Sequence, residues 1–293
     1  MKKFRGTGVA LVTPFQPNGA IDYVALKRLL VHTESSVDYF VVMGTTGESA
    51  TLSKEEKKEV LKFVLTNNPK KRPVVYGIGG NNTAAVLEEI HATNFRGVSG
   101  LLSVSPYYNK PSQEGIYQHF KKVADASPVP VILYNVPGRT SSNLTAATTL
   151  RLALHKNIVG IKEASGNLEQ CMRIAKSKPK DFLLTSGDDM LTVALYSVGG
   201  EGVISVLANA VPESFKKITG NAAAGNYAKA SSELFKLLDI NGPMYEEGNP
   251  SGVKYLLSLL KICDATVRLP MVVPSAGLRK RIEQAFEQIK KGN

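Results

Sequence analysis

The chain has 293 residues, 43% of them hydrophobic, with 36 lysines and arginines against 25 aspartates and glutamates for a formal charge of +11. That length and balance describe a soluble globular protein with a sizeable core and exclude a disordered or collagen-like chain. Its two cysteines, Cys171 and Cys263, stand far apart with no Cys-x-x-Cys pair or Cys/His cluster, so neither a disulfide framework nor a metal site is expected. No apolar run approaches the length needed to cross a membrane, the apolar stretch after the basic start is too short for a signal peptide, and a cytoplasmic location is expected. The basic residues lie in small scattered groups, several of them alternating with acids as in Lys54-Glu-Glu-Lys-Lys-Glu59. Such groups read as solvated helix faces whose positive field favours small anionic substrates, and not as a nucleic-acid surface.

In chain order, short apolar runs alternate with amphipathic stretches. Strands are expected over 8–12, 39–43, 73–76, 97–104, 129–134, 158–162, 182–185 and 202–206. Helices are expected between and after them, over 23–35, 54–66, 84–94, 113–126, 145–154, 168–177, 190–198 and 212–223. Asp22 and Ser112 are placed to cap the first and fourth helices, and Ser53-Lys-Glu-Glu56 fits a capping box on the second. Pro212 suits an early helical position. Strands each followed by a helix, eight times over, make an α/β chain with a (β/α)8 TIM barrel over 1–224. The doubly wound alternative lacks its Gly-x-Gly-x-x-Gly turn after the first strand. Beyond that barrel, segments 226–239, 251–263 and 275–290 read as a C-terminal helical appendage over 225–293.

Barrel enzymes carry their chemistry at the carboxyl ends of the strands. Four such ends hold Gly44-Thr-Thr-Gly-Glu48, Ser105-Pro-Tyr-Tyr-Asn-Lys-Pro111, Tyr134-Asn-Val-Pro-Gly-Arg-Thr140 and Lys162-Glu-Ala-Ser-Gly166. Strand alternation puts Ile158, Gly160 and Lys162 on one face and Val159, Ile161 and Glu163 on the other, with Gly160 leaving room beside the lysine stem. An apolar setting disfavours the ammonium and frees a nucleophilic amine, although a strand-end lysine can also snorkel to water. Tyr134 falls on the neighbouring strand at a similar height, as either a proton relay or a packing residue. Thr45 and Thr46 can be helix-cap neighbours or site hydroxyls, and Arg139 a surface charge or a fork for a carboxylate.

Gly44-Thr-Thr-Gly-Glu48, Tyr107-Tyr-Asn-Lys-Pro111, Tyr134-Asn-Val-Pro-Gly-Arg-Thr140 and Gly160-Ile-Lys-Glu-Ala164, with Ser186-Gly-Asp-Asp189, Gly202-Val-Ile-Ser-Val206 and Arg268-Leu-Pro-Met271, resemble the dihydrodipicolinate synthase family. That family lies within the pyruvate-dependent class I aldolases, which also include N-acetylneuraminate lyase. The resemblance implies that Lys162 forms a Schiff base with pyruvate and that Tyr134 shuttles protons to it. Thr45 is then the link from Tyr134 to Tyr108, which reaches in from a neighbouring subunit of a homotetramer. Thr46 and a main-chain contact at Ile204 hold pyruvate, and Arg139 receives the carboxylate of L-aspartate 4-semialdehyde. No metal or organic cofactor is implied.

Sialic-acid lyases of the same superfamily generally lack an arginine at the position of Arg139, which favours the synthase. A barrel that only binds a keto acid is the reading from another class, and the intact Lys162, Tyr134 and Thr45 set argues against it. Many lysine-inhibited members of the family carry histidines and a glutamate where this chain has Lys54, Lys57 and Ala85, so weak or absent lysine feedback is expected.

Overall fold

Parallel strands cannot be joined by hairpins, so each return needs a crossover, and the alternation seen along the chain supplies one every time. The computed structural model describes residues 2–68 and 70–291. Its strands are β1 (Gly6–Ala10), β2 (Tyr39–Val42), β3 (Val74–Gly77), β4 (Gly100–Val104), β5 (Val131–Asn135), β6 (Ile158–Glu163), β7 (Leu183–Ser186) and β8 (Gly202–Ser205). They pair in sequence order, and β8 closes on β1. The surrounding helices are α1 (Tyr23–Thr33), α2 (Lys54–Thr66), α3 (Thr83–Ala92), α4 (Gln113–Ala126), a short α5 (Pro137–Thr140), α6 (Ala146–Leu152), α7 (Leu168–Ser177), α8 (Thr192–Ser197) and α9 (Pro212–Ala223). After the barrel come α10 (Tyr227–Phe235), α11 (Leu238–Asn241), α12 (Ser251–Leu259) and α13 (Ala276–Lys291). The expected helix over 226–239 is thus two pieces, α10 and α11. Among the described residues no helix is long and apolar enough to cross a membrane.

The expected start signals form. Asp22 accepts from Ala25 N at 2.9 Å, Ser112 Oγ accepts from Gly115 N at 3.2 Å, and Ser53 and Glu56 make a reciprocal capping box. Each satisfies orphan amides of a first turn, worth about 1 kcal/mol per cap. Two cores result. Outward strand residues such as Phe40, Leu133, Ile161 and Leu184 pack under the helices, while Val41, Leu102, Ile132, Leu183 and Ile204 fill the barrel interior.

One strand departs from simple alternation. Val131 pairs with Ile158 but Ile132 pairs with Gly160, so the register shifts at this point. Such a bulge adds a residue to one strand and re-phases its faces. Ile158 therefore packs in the outer core and Val159 in the inner one, the reverse of the expected assignment. The glycine beside the lysine is also reassigned. A methyl on Gly160 would meet Leu183 Cβ at 2.6 Å, whereas one on Gly187 would meet Lys162 Cε at 2.9 Å and Cγ at 3.1 Å. Gly160 makes space for β7, and Gly187 makes space for the lysine.

Candidate active site

Lys162 and Tyr134 are direct partners across β5 and β6. Both are buried, at 5% and 7% exposure, and Lys162 Nζ lies 4.3 Å from the centre of the Tyr134 ring. The bulge lies N-terminal to this pair, so the alternation that put the two residues on one inward face holds where it matters. Glu163, the next residue, points into the outer layer. Its carboxylate accepts from Asn135 Nδ2 at 3.1 Å, Gln170 Nε2 at 2.9 Å and Ser165 N at 2.8 Å. Asn135 and Glu163 also face each other in the ladder, so this network fixes the carboxyl ends of β5 and β6 from behind.

Lys162 and Tyr134 open into a cavity of about 370 Å³ that Thr45, Thr46 and Arg139 also line. Thr46 is buried, and its Oγ1 accepts from Asn249 Nδ2 at 3.0 Å. Arg139 is exposed on α5 at the mouth, where its fork can meet an entering carboxylate. Amine, phenol, two hydroxyls and a guanidinium thus converge on one small space. That set suits carbonyl addition at Lys162 with an anionic substrate. Among the described residues no group of three or more His, Cys, Asp or Glu is arranged to hold a metal ion.

Sequence reasoning missed part of the wall. Asn241, Tyr245 and Asn249 line the cavity from beyond residue 224, so the helical appendage completes a site that the barrel alone leaves open. They sit in and beside a polar connection between α11 and α12, and nothing local marks them. Burial and the nearby Asp189 and Asp188 carboxylates raise the Tyr245 phenol well above its usual range, so it stays a donor. Asp188 and Gly187 line the same cavity. Asp189 beside them is buried and accepts from Val206 N at 3.2 Å and Leu207 N at 2.8 Å, tying the end of β7 to that of β8.

Other expected residues stand elsewhere. Ile204 is fully buried on β8 inside the barrel, and Val206, two residues on, reaches the cavity wall instead. Tyr108 is 85% exposed, has a positive φ of 76° and does not line the cavity of its own chain. Of Lys54, Lys57 and Ala85, only Lys57 reaches the smaller cavity, about 80 Å³, behind Tyr134 and Thr45. There it pairs with Glu89 at 3.6 Å, one helical turn along from Ala85. An acid is therefore present, and it is already neutralised.

A profile described as the dihydrodipicolinate synthetase family matches residues 3–289. The chain is 51% identical over 290 residues to the 4-hydroxy-tetrahydrodipicolinate synthase of Cytophaga hutchinsonii, covering 99% of this chain and 98% of that one. A monomeric dihydrodipicolinate synthase variant superposes with a TM-score of 0.95 at 35% identity, over 99% of this chain and 98% of its own. The chloride-inhibited dihydrodipicolinate synthase of Acinetobacter baumannii, solved with pyruvate, superposes with a TM-score of 0.94 at 36% identity, over 98% of this chain and 99% of its own. On full-length similarity of both sequence and fold, this chain belongs to the dihydrodipicolinate synthetase family.

Proposed function

We propose that the chain condenses pyruvate with L-aspartate 4-semialdehyde to 4-hydroxy-tetrahydrodipicolinate, the committed entry to lysine and diaminopimelate synthesis. The observation that carries this reading is the in-register pair of Lys162 and Tyr134, buried side by side in a cavity with Thr45, Thr46 and Arg139. Lys162 Nζ adds to the pyruvate carbonyl, and loss of water gives an iminium. Its positive nitrogen is the electron sink, so removal of a methyl proton yields an enamine without help from a metal or an organic cofactor. The enamine carbon attacks the aldehyde, whose oxygen takes up a proton. The amine of the second substrate then displaces Lys162 and closes the ring.

Tyr134 is the proton carrier in these steps because it is the phenol beside the amine. Thr46 and the adjoining amides hold the pyruvate carboxylate, and Arg139 meets the carboxylate of the semialdehyde at the mouth. Ile204 supplies a main-chain contact below the pyruvate. Tyr108 is supplied through Thr45 by a neighbouring copy within a homotetramer. Its exposure and its absence from the lining of its own cavity support that arrangement, as does the exposure of Thr45.

Borohydride reduction in the presence of pyruvate, followed by peptide mass mapping, tests the mechanism. Adduct is expected at Lys162 alone, and adduct elsewhere or none at all rejects it. Turnover of pyruvate with L-aspartate 4-semialdehyde against pyruvate with N-acetylmannosamine then tests the substrate, and a preference for the sugar overturns it.

A further inference from the structure

The turn that carries Thr45 and Thr46 is conformationally expensive. A 3-10 turn over Thr45–Gly47 lies between two non-glycine residues in the left-handed region, Met43 at φ 62° and Glu48 at φ 53°. Residues of that kind persist only where their surroundings over-determine them. Part of the hold comes from the barrel, where Thr13 Oγ1 donates to Gly47 O at 2.7 Å, and part from the appendage. Asn249 Nδ2 donates to Thr46 Oγ1 at 3.0 Å, and five residues later Lys254 Nζ meets Glu48 Oε1 at 2.5 Å. The side chains of Lys254 and Glu48 are 0% and 2% exposed.

Both partners are further tied down. Glu48 Oε2 accepts from Arg268 N at 2.9 Å. Lys254 Nζ donates to Thr266 O at 2.9 Å and lies 3.9 Å from the centre of the Phe15 ring. Burial lowers the Lys254 ammonium below its usual range, and the Glu48 carboxylate opposes that shift. A buried pair of this sort is weak evidence for stability, because apolar replacements of both partners are often neutral. It does fix where its two chain segments stand.

We propose that Glu48 and Lys254 are positioning residues for the substrate-carboxylate site: their buried pair sets the Thr45–Gly47 turn, and with Asn249 it makes the helical appendage a working part of the barrel's active site. The proposal rests on the reading of Thr46 as a pyruvate contact. Neither Glu48 nor Lys254 lines the cavity, so the effect passes through the turn.

The test is the double variant Glu48→Gln with Lys254→Met, which removes both charges and leaves neither unpaired. Thermal unfolding is expected close to wild type. The pyruvate concentration giving half-maximal borohydride adduct at Lys162 is expected to rise by roughly tenfold or more, about what losing one hydrogen bond to a charged group costs in affinity. Adduct formation at saturating pyruvate is expected to change much less. A purely structural pair would lower the unfolding temperature and leave half-saturation of the folded fraction where it was. A folded double variant with wild-type half-saturation therefore overturns the proposal. If the double variant does not fold, Glu48→Gln alone serves, and the same shift is required of it. A wild-type protein that forms no adduct sinks the Schiff-base reading and this proposal together, whereas wild-type adduct with unshifted variants sinks only this proposal.

Discussion

Gly187→Ala adds one methyl at the place where the Lys162 stem needs room. Gly187 does not have a positive φ, so alanine fits its backbone and only space opposes it. The new Cβ would stand 2.9 Å from Lys162 Cε, 3.1 Å from Lys162 Cγ and 2.6 Å from Ala164 Cβ. Carbon atoms sit at about 3.5–4.0 Å when packed, so roughly 1 Å must be recovered. The lysine stem can swing aside, but Ala164 Cβ is fixed to the backbone just past β6 and has to move with it. Overpacking of this kind costs about 1–3 kcal/mol of stability, which shows as a lower urea midpoint. A displacement of about 1 Å at a reacting group costs about 100-fold in rate, and that factor is about 2.7 kcal/mol of barrier. The assay is the rate of borohydride-trapped pyruvate adduct per folded molecule at saturating pyruvate. A Gly187→Ala enzyme that folds and forms adduct at the wild-type rate refutes the view that Gly187 sets the position of Lys162.

Acid stability should show two opposed titrations. Burial lowers the His119 imidazole from 6.5 to about 4, so between those values the unfolded chain binds a proton that the folded one refuses, and stability falls by roughly 3 kcal/mol as pH falls. Burial raises Asp189 from 3.8 to about 6, so over that window the folded carboxyl holds a proton that the unfolded chain has released, adding roughly 3 kcal/mol as pH falls. Relative to wild type, urea unfolding of His119→Gln should gain stability from pH 6.5 to 4 and that of Asp189→Asn should lose it; curves parallel to wild type refute both assignments. Tyr108→Phe should lower turnover by about 100-fold, the lower part of the range for general acid–base groups, without abolishing pyruvate adduct. Dilution to a fully active monomer contradicts a tyrosine supplied from another copy. Free lysine should leave turnover nearly unchanged, because Glu89 is already paired with Lys57 in the small cavity, and half-maximal inhibition at low lysine concentrations would sink that expectation.

The barrel was legible because its signals are local: apolar runs of strand length, caps such as Asp22 and Ser53, and a crossover helix after each strand. The Lys162–Tyr134 pair was legible for the same reason, since alternation needs only a strand and its direction. What failed needed knowledge of register. The bulge that turns Ile158 outward is a property of the β5–β6 pairing and leaves no mark on the 158–162 segment itself. Likewise, Gly160 and Gly187 look alike in sequence, and only the packing of β6 against β7 and its following loop tells which one clears the lysine.

The contribution of the appendage was harder still, because Asn249 and Thr46 meet across 203 positions of chain. Even so, one signal was present. On α12 the buried residues include Val253, Lys254, Leu256 and Leu257, which places a lysine inside an apolar stripe at helical spacing. A charge on such a stripe must find a partner, lose its proton or leave the core. Lys162 on its strand posed that same question, and the residues at the neighbouring strand ends then gave it a context. Lys254 lies outside the quoted motifs, but its answer, Glu48, closes one of them, at the end of the very turn that presents Thr45 and Thr46. Both lysines stand at one end of the barrel: Lys162 lines the cavity, and Lys254 pairs with the residue that ends the turn beside it.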